Sequence, residues 1–86
     1  MIKNCMEDIV NNVITTVLDD YKDICKCEKC VDDIKAIALN NLKPLYAVTS
    51  EGMVYSKMKE LENQFRIDVI NQLINATEMV LKNPKH

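Results

Sequence analysis

Residues 25–30 have the sequence CKCEKC, which places three cysteines within six residues of an 86-residue chain. Cys27 and Cys30 have the C-x-x-C spacing that lets two thiolates bind one tetrahedral Zn²⁺, and Cys25 can donate a third sulfur from the same loop. Three lysines lie at neighbouring positions and favour the thiolate form. The stretch therefore predicts a structural zinc site, whose binding energy would decide whether so small a core folds.

The cysteine cluster also allows three interpretations without zinc. A thioredoxin-like redox pair also has C-x-x-C at a helix N-terminus, but it follows a strand in a βαβ unit that this sequence lacks. An iron–sulfur centre normally uses four thiolates, and the spacing matches neither common ferredoxin pattern. The three cysteines can also be inert side chains that are neighbours by chance.

A closed zinc site needs a fourth ligand, and the sequence offers two candidates. His86 is the only histidine, and Pro84 stiffens its approach from the end of the last predicted helix. Cys5 lies in the first turn of the first predicted helix and can equally be a small buried apolar side chain. Water or another chain is the remaining alternative.

Size and composition limit the protein to one domain, residues 1–86, with a core that is only marginally sufficient by itself. A hydrophobic content of 48% with 28% charged residues indicates a globular chain, and no apolar run reaches the roughly 18–20 residues of a membrane span. Glu7 and Asp8 argue against a signal peptide. We therefore expect a cytoplasmic chain with reduced thiols. The net charge of −2 makes nucleic-acid binding an unfavoured function.

Apolar residues at three- and four-residue spacings predict a mainly α-helical fold with three helices. The first covers about residues 4–21, with Asn4 as its N-cap. The second begins at Cys30 and ends near Asn40–Asn41, before a proline that disfavours helical geometry. The third covers about residues 57–82.

A short β-hairpin is predicted between the second and third helices. Residues 45–49 and 53–55 are β-prone, and Gly52, the only glycine, lies between them where a turn needs a left-handed residue. Ser56 follows as the N-cap of the third helix.

The third predicted helix carries two apolar stripes and is about 39 Å long at 1.5 Å per residue. A compact chain of this size has a radius of gyration near ~12 Å, so the helix needs more partners than two shorter helices offer. A kinked or shorter helix is the alternative; we favour a homodimer with this helix in the interface. One stripe contains Met58, Leu61, Phe65, Val69, Leu73, Ala76 and Val80, and the other contains Ile67, Ile70, Ile74, Thr77 and Leu81.

Five segments form a recognisable set: Asn4-x-x-Glu7, the cysteine triplet, Asp33-Ile34, the run Ala38-Leu39-Asn40-Asn41-Leu42-x-Pro44-x-Tyr46, and Asn83-Pro84-x-His86. This set resembles the bacterial late competence protein ComFB family over essentially the whole chain. The resemblance implies a small, mostly helical homodimer whose zinc ligands are the three clustered cysteines and a C-terminal cysteine or histidine, which favours His86. It also implies a cyclic dinucleotide as ligand, because members of the family have been described as receptors for these second messengers. Lys43 departs from the family, in which a proline often precedes Pro44.

No catalytic group of residues is apparent, since a nucleophile–base pair needs a histidine and His86 is the only one. We therefore expect a regulatory protein and no enzyme.

The first hypothesis is a zinc-stabilised dimer that binds a cyclic dinucleotide and signals to a protein partner, and the alternative is a structural adaptor without a small-molecule ligand. For the nucleotide, Tyr46 and Tyr55 can stack on bases. Lys43, Lys57, Lys59 and Arg66 can bind its phosphates.

Overall fold

Three helices and two short strands make up the described part of the chain, residues 2–48 and 55–82, in the computed structural model. The side chains of residues 47, 48, 55 and 56 are also outside the description. The elements in chain order are β1 (Ile2–Asn4), α1 (Cys5–Leu18), α2 (Glu28–Asn40), β2 (Tyr46–Val48) and α3 (Tyr55–Lys82). The predicted mainly helical fold with three helices is confirmed.

Helix α1 begins where the sequence predicts and ends earlier. The Asn4 side chain accepts a hydrogen bond from the Met6 backbone N–H at 3.1 Å, which confirms Asn4 as the N-cap. The helix ends at Leu18 instead of residue 21, and Asp19 and Asp20 follow it because carboxylates are unfavourable at the negative end of a helix dipole. Its buried residues are Cys5, Met6, Ile9, Val10, Val13, Ile14, Val17 and Leu18.

Helix α2 starts two residues before Cys30, so the cysteine motif forms its N-terminus. Cys27 is the N-cap, with an extended backbone at φ −69° and ψ 159°. Glu28 opens the helix, where an acidic side chain complements the positive end of the dipole. The helix ends at Asn40 as predicted, and Asn41 stabilises its last turn by donating a side-chain hydrogen bond to the Ile37 carbonyl at 2.9 Å.

Within the described residues, the first strand of the predicted hairpin pairs with the start of the chain. β2 forms an antiparallel pair with β1, in the register Ile2↔Val48 to Asn4↔Tyr46. Leu45 explains the choice: its N–H donates to the Asn4 side chain at 2.8 Å, and its carbonyl accepts from the Cys5 N–H at 2.7 Å. The end of the predicted second strand, Tyr55, is helical, while the predicted turn at 50–52 and residues 53–54 lie outside the described residues.

Helix α3 is one continuous helix of 28 residues, so the long helix is confirmed and the shorter alternative is wrong. It begins at Tyr55, which places Ser56 inside its first turn instead of at the N-cap. It packs against both α1 and α2 in a body of 40 × 22 × 20 Å. None of the helices, in the portion that the structure describes, is long and apolar enough to cross a membrane.

The two stripes of α3 have different environments. The first stripe lies in the core, where Val69, Leu73, Ala76 and Val80 are buried and its remaining three members pack against it. In the second stripe Thr77 is buried and donates its hydroxyl to the Leu73 carbonyl at 2.7 Å. The exposed members of the second stripe recur every seven residues, at Ile67, Ile74 and Leu81.

Candidate metal centre

Cys25, Cys27 and Cys30 come together at the N-terminus of α2. Their three sulfur atoms lie within 4.8 Å of one another. Cys25 is half-buried in the connection between α1 and α2, Cys27 is exposed at the N-cap, and Cys30 is buried in the first turn of the helix. The structure thus brings together all three cysteines that the sequence predicts as ligands.

The connection that carries two of these cysteines is held to the body of the protein by few side chains. Ile24 is buried in the core just before Cys25. Tyr21 packs against the core and donates its hydroxyl to the Glu78 carboxylate on α3 at 2.9 Å. At the other end, the Val31 N–H donates to the Cys27 carbonyl at 3.0 Å and begins the hydrogen bonds of α2.

The surroundings of the cluster shift the pKa values of two of its thiols in opposite directions. The Cys30 backbone N–H donates to Cys27, and with a hydrogen bond from Cys25 it lowers the pKa of the Cys27 thiol below its usual value. Burial acts in the opposite direction on Cys30 and, with the neighbouring Cys25 and Cys27, raises the pKa of that thiol to about 12.

The geometry and chemistry of the three sulfurs fit a zinc ion. Sulfurs bound to one tetrahedral zinc at ~2.3 Å lie roughly 3.8 Å apart, and the three sulfurs of this cluster all lie within 4.8 Å of one another. The backbone N–H groups and dipole at the N-terminus of α2 favour negative sulfur. A metal would displace the proton of Cys30, which makes the three thiolates available together.

The candidates for a fourth ligand are in different situations. Cys5 is 1% exposed at the start of α1, whereas the connection with the cluster follows the end of that helix, about 20 Å along its axis. Its thiol is one of the buried side chains of α1. His86 lies outside the described residues. Among residues 2–46 and 57–82, whose side chains the structure describes, no further cysteine, histidine or acidic side chain joins the group.

The structure gives the surroundings of three of the residues predicted to contact a nucleotide. Tyr46 is 62% exposed on β2, and the Tyr55 side chain lies outside the description. Lys57 and Arg66 are paired with carboxylates of their own helix: Lys57 Nζ lies 3.8 Å from Glu60, and an Arg66 guanidinium nitrogen lies 3.5 Å from Glu62.

A pocket of about 560 Å³, which the sequence interpretation missed, lies between residues 41–45 and α3. Met6, Leu42, Pro44, Leu45 and Phe65 supply its apolar lining, and Asn41, Lys43, Asp68, Asn71 and Gln72 supply its polar lining. Two signals in the sequence point to it. Residues 41–45 belong to the segment that carries the family resemblance, and the third-helix residues lie at spacings of three and four.

Comparison with known proteins supports the resemblance. The family model described as late competence development protein ComFB matches residues 3–84. The competence protein ComFB of Bacillus subtilis (strain 168) is 23% identical over 84 residues, which cover 98% of this chain and 86% of that protein. The solved structure of the late competence protein ComFB from Bacillus subtilis superposes with a TM-score of 0.79 at 22% identity and covers 99% of this chain and 93% of the other. The two structures share a fold.

Proposed function

This chain belongs to the ComFB family of late competence development proteins, and on that premise we propose that it is a zinc-binding, homodimeric regulatory protein that binds a cyclic dinucleotide. The observation that carries the proposal is the convergence of three sulfur atoms at the N-terminus of α2. We assign the site a structural role, since a zinc ion whose four positions are all filled by protein ligands has no position for a reacting water. Because the thiols must stay reduced to bind metal, we place the protein in the cytoplasm.

The zinc site is tested by removing one ligand at a time and measuring zinc per chain by mass spectrometry. We expect Cys27→Ser to lose the metal, because two thiolates hold zinc far less tightly than three. Cys5→Ser is the matched control, since it removes a thiol of the same chain from a buried position at the start of α1. We assign the fourth ligand to His86, so His86→Ala should lower the zinc affinity. Unchanged zinc content in Cys27→Ser would refute the site.

The exposed stripe of α3 supports the homodimer. Ile67 is 75% exposed, Ile74 38% and Leu81 36%, and their seven-residue spacing is that of a helix–helix seam. A second copy of this chain carries the same stripe with the same spacing. Its α3 is therefore a partner that can pack against this one. Ile67→Glu should produce a monomer in sedimentation experiments, whereas Asn11→Glu, which adds the same charge on the exposed face of α1, should not.

The pocket beside α3 supports the proposed nucleotide ligand. Its volume of about 560 Å³ lies in the range of small-molecule sites. Lys43 in its lining is a cation that can bind a phosphate, and Phe65, which lines the pocket from α3, can stack on a base. Side-chain amides of Asn41, Asn71 and Gln72 offer both donors and acceptors to a base edge.

Isothermal titration with cyclic di-AMP and cyclic di-GMP tests the ligand. We expect heat with at least one of them, and about tenfold weaker binding in Lys43→Ala, because a lost charge-assisted hydrogen bond is worth roughly 1.5 kcal/mol. Lys82→Ala, which removes an exposed lysine from the far end of α3, is the control. The absence of both heat and a thermal shift with each of the two nucleotides would exclude a receptor for them.

A structural adaptor without a small-molecule ligand is the second candidate. Its support is the exposure of large apolar side chains away from the α3 stripe, with Ile2 69% exposed and Tyr46 62% exposed on the two-stranded sheet. Such residues can dock a protein partner. This function predicts no heat with the nucleotides, together with loss of partner binding in Tyr46→Ala but not in Lys82→Ala.

A further inference from the structure

We propose that metal binding at the cysteine cluster strengthens self-association through α3, and that Tyr21 connects the two sites. This inference rests on the proposed function, since it assumes both the zinc site and the homodimer. It adds a regulatory property: the oligomeric state of the protein follows its metal occupancy. Three features of the described residues lead to it.

The first feature is how the connection is attached. Between the end of α1 and the first cysteine, Ile24 and Tyr21 are the side chains that pack into or against the core. Backbone hydrogen bonds from Asp20 to Val17, at 3.2 Å, and from Tyr21 to Leu18, at 3.0 Å, form only a local turn. The Tyr21 hydroxyl therefore links this connection to α3 by a polar contact, through Glu78 at 2.9 Å.

The second feature is a groove of about 390 Å³ between α1 and α3, to which the connection contributes one wall. Val17, Asp20 and Tyr21 line one side of it, and Ile70 and Ile74 line the other. Ile74 is also the middle residue of the exposed stripe, where it is 38% exposed. The position of Tyr21 thus shapes the surface that a second copy would contact.

The third feature is the short chain distance from Tyr21 to the cluster. Cys25 follows Tyr21 by four residues, and buried Ile24 lies next to Cys25. Three bonds from sulfur to one metal ion would restrict this segment to a single arrangement. Asp20 and Tyr21 would then already be in place at the groove when a second copy binds. The conformational entropy of this segment is then lost when the metal binds, so dimerisation does not have to restrict the segment a second time.

Linkage makes the effect reciprocal. If zinc tightens the dimer by some factor, dimerisation tightens zinc binding by the same factor. Couplings between sites in proteins are usually about 5- to 150-fold, and we expect about tenfold here because one side chain carries the connection.

The test measures the dimer dissociation constant by sedimentation over a dilution series, with zinc and with a chelator, and zinc per chain at the same time. The wild-type protein should dimerise about tenfold more tightly with zinc. Tyr21→Phe keeps the ring but removes the hydroxyl, so it should bind zinc normally while the ratio of the two dissociation constants falls close to one. Tyr46→Phe, which removes the hydroxyl of an exposed tyrosine, should behave like the wild type.

Variants of Glu78 separate the contact from a general loss of structure. Glu78→Gln keeps an oxygen acceptor for the Tyr21 hydroxyl and should retain most of the zinc dependence, whereas Glu78→Ala should lose it. A wild-type dimer that is equally tight with and without zinc overturns this inference alone. A Tyr21→Phe variant with the wild-type ratio does the same. A chain that binds no zinc, or stays monomeric with zinc bound, overturns the proposed function as well.

Discussion

Helices α1 and α2 have nearly the same length but are stabilised in different ways. Of the 14 residues of α1, eight are buried, whereas only three of the 13 residues of α2 are. The Asn4 side chain caps α1 by accepting a hydrogen bond from the Met6 N–H, while Cys27, the N-cap of α2, makes no side-chain cap bond. α1 is thus held by apolar packing and a cap, and α2 has little of either.

The weaker packing and capping of α2 explain why the cysteines lie at its N-terminus. A cluster of three thiols occupies the N-terminus of the helix that buries fewer of its residues. A metal ion there would bind Cys27 and Cys30, the cap and the first turn, and supply the local stability that packing supplies in α1. We infer that the protein divides its stability between a packed half and a metal-dependent half.

Removing the metal is expected to give the largest effect. When free zinc exceeds its dissociation constant a thousandfold, the bound state is stabilised by about 4 kcal/mol, which a chelator would remove. Because the cysteines that would bind the metal lie at the N-terminus of α2, amide hydrogen exchange should accelerate more in α2 than in α1. Equal acceleration in both helices would contradict the division into two halves.

A cavity in α1 should destabilise the protein whether or not metal is bound. Ile9 is fully buried, so Ile9→Ala should lower the free energy of unfolding by about 3 kcal/mol in denaturant titrations. Ile37→Ala, at a half-buried position of α2, should lower it by roughly half as much. Similar losses in the two variants would show that α2 is packed as tightly as α1.

The parts of the fold that were predicted from sequence depend on local spacing. The apolar periodicity of α1 and α3 is visible because each helix repeats its core contacts every three or four residues. The cysteine cluster is equally local, since a loop of six residues brings its own sulfurs together.

The parts that were missed depend on contacts between distant residues. The partner of β2 is β1, more than 40 residues away, and no property of residues 45–49 distinguishes that strand from a neighbouring one. The Tyr21–Glu78 contact joins residues 57 positions apart. The pocket beside residues 41–45 exists only because α3 passes over them. In each case the contact depends on the tertiary structure and not on the local sequence.

The cap of α1 should have a smaller effect than its core. The Asn4 oxygen accepts from two backbone N–H groups, of Met6 at 3.1 Å and of Leu45 at 2.8 Å. Asn4→Ala leaves both donors without this partner and should cost about 1–2 kcal/mol of unfolding free energy. Asn11→Ala, on the exposed face of the same helix, should change stability little. If the two variants are equally stable, the cap does not distinguish α1 from α2.

The smallest expected effect is a pH dependence from the contact between the connection and α3. Burial raises the pKa of the Tyr21 phenol above its usual value, and the hydrogen bond to Glu78 adds to the shift. Because the folded protein holds this proton more tightly than the unfolded chain, the stabilisation is complete below about pH 10 and is lost as the pH rises through the raised pKa. The wild type should therefore lose its stability advantage over Tyr21→Phe in strongly alkaline solution. Tyr46→Phe is the control, since it removes the hydroxyl of an exposed tyrosine. If the free energy of unfolding of wild type and Tyr21→Phe depends on pH in the same way, the Tyr21–Glu78 contact does not hold the connection.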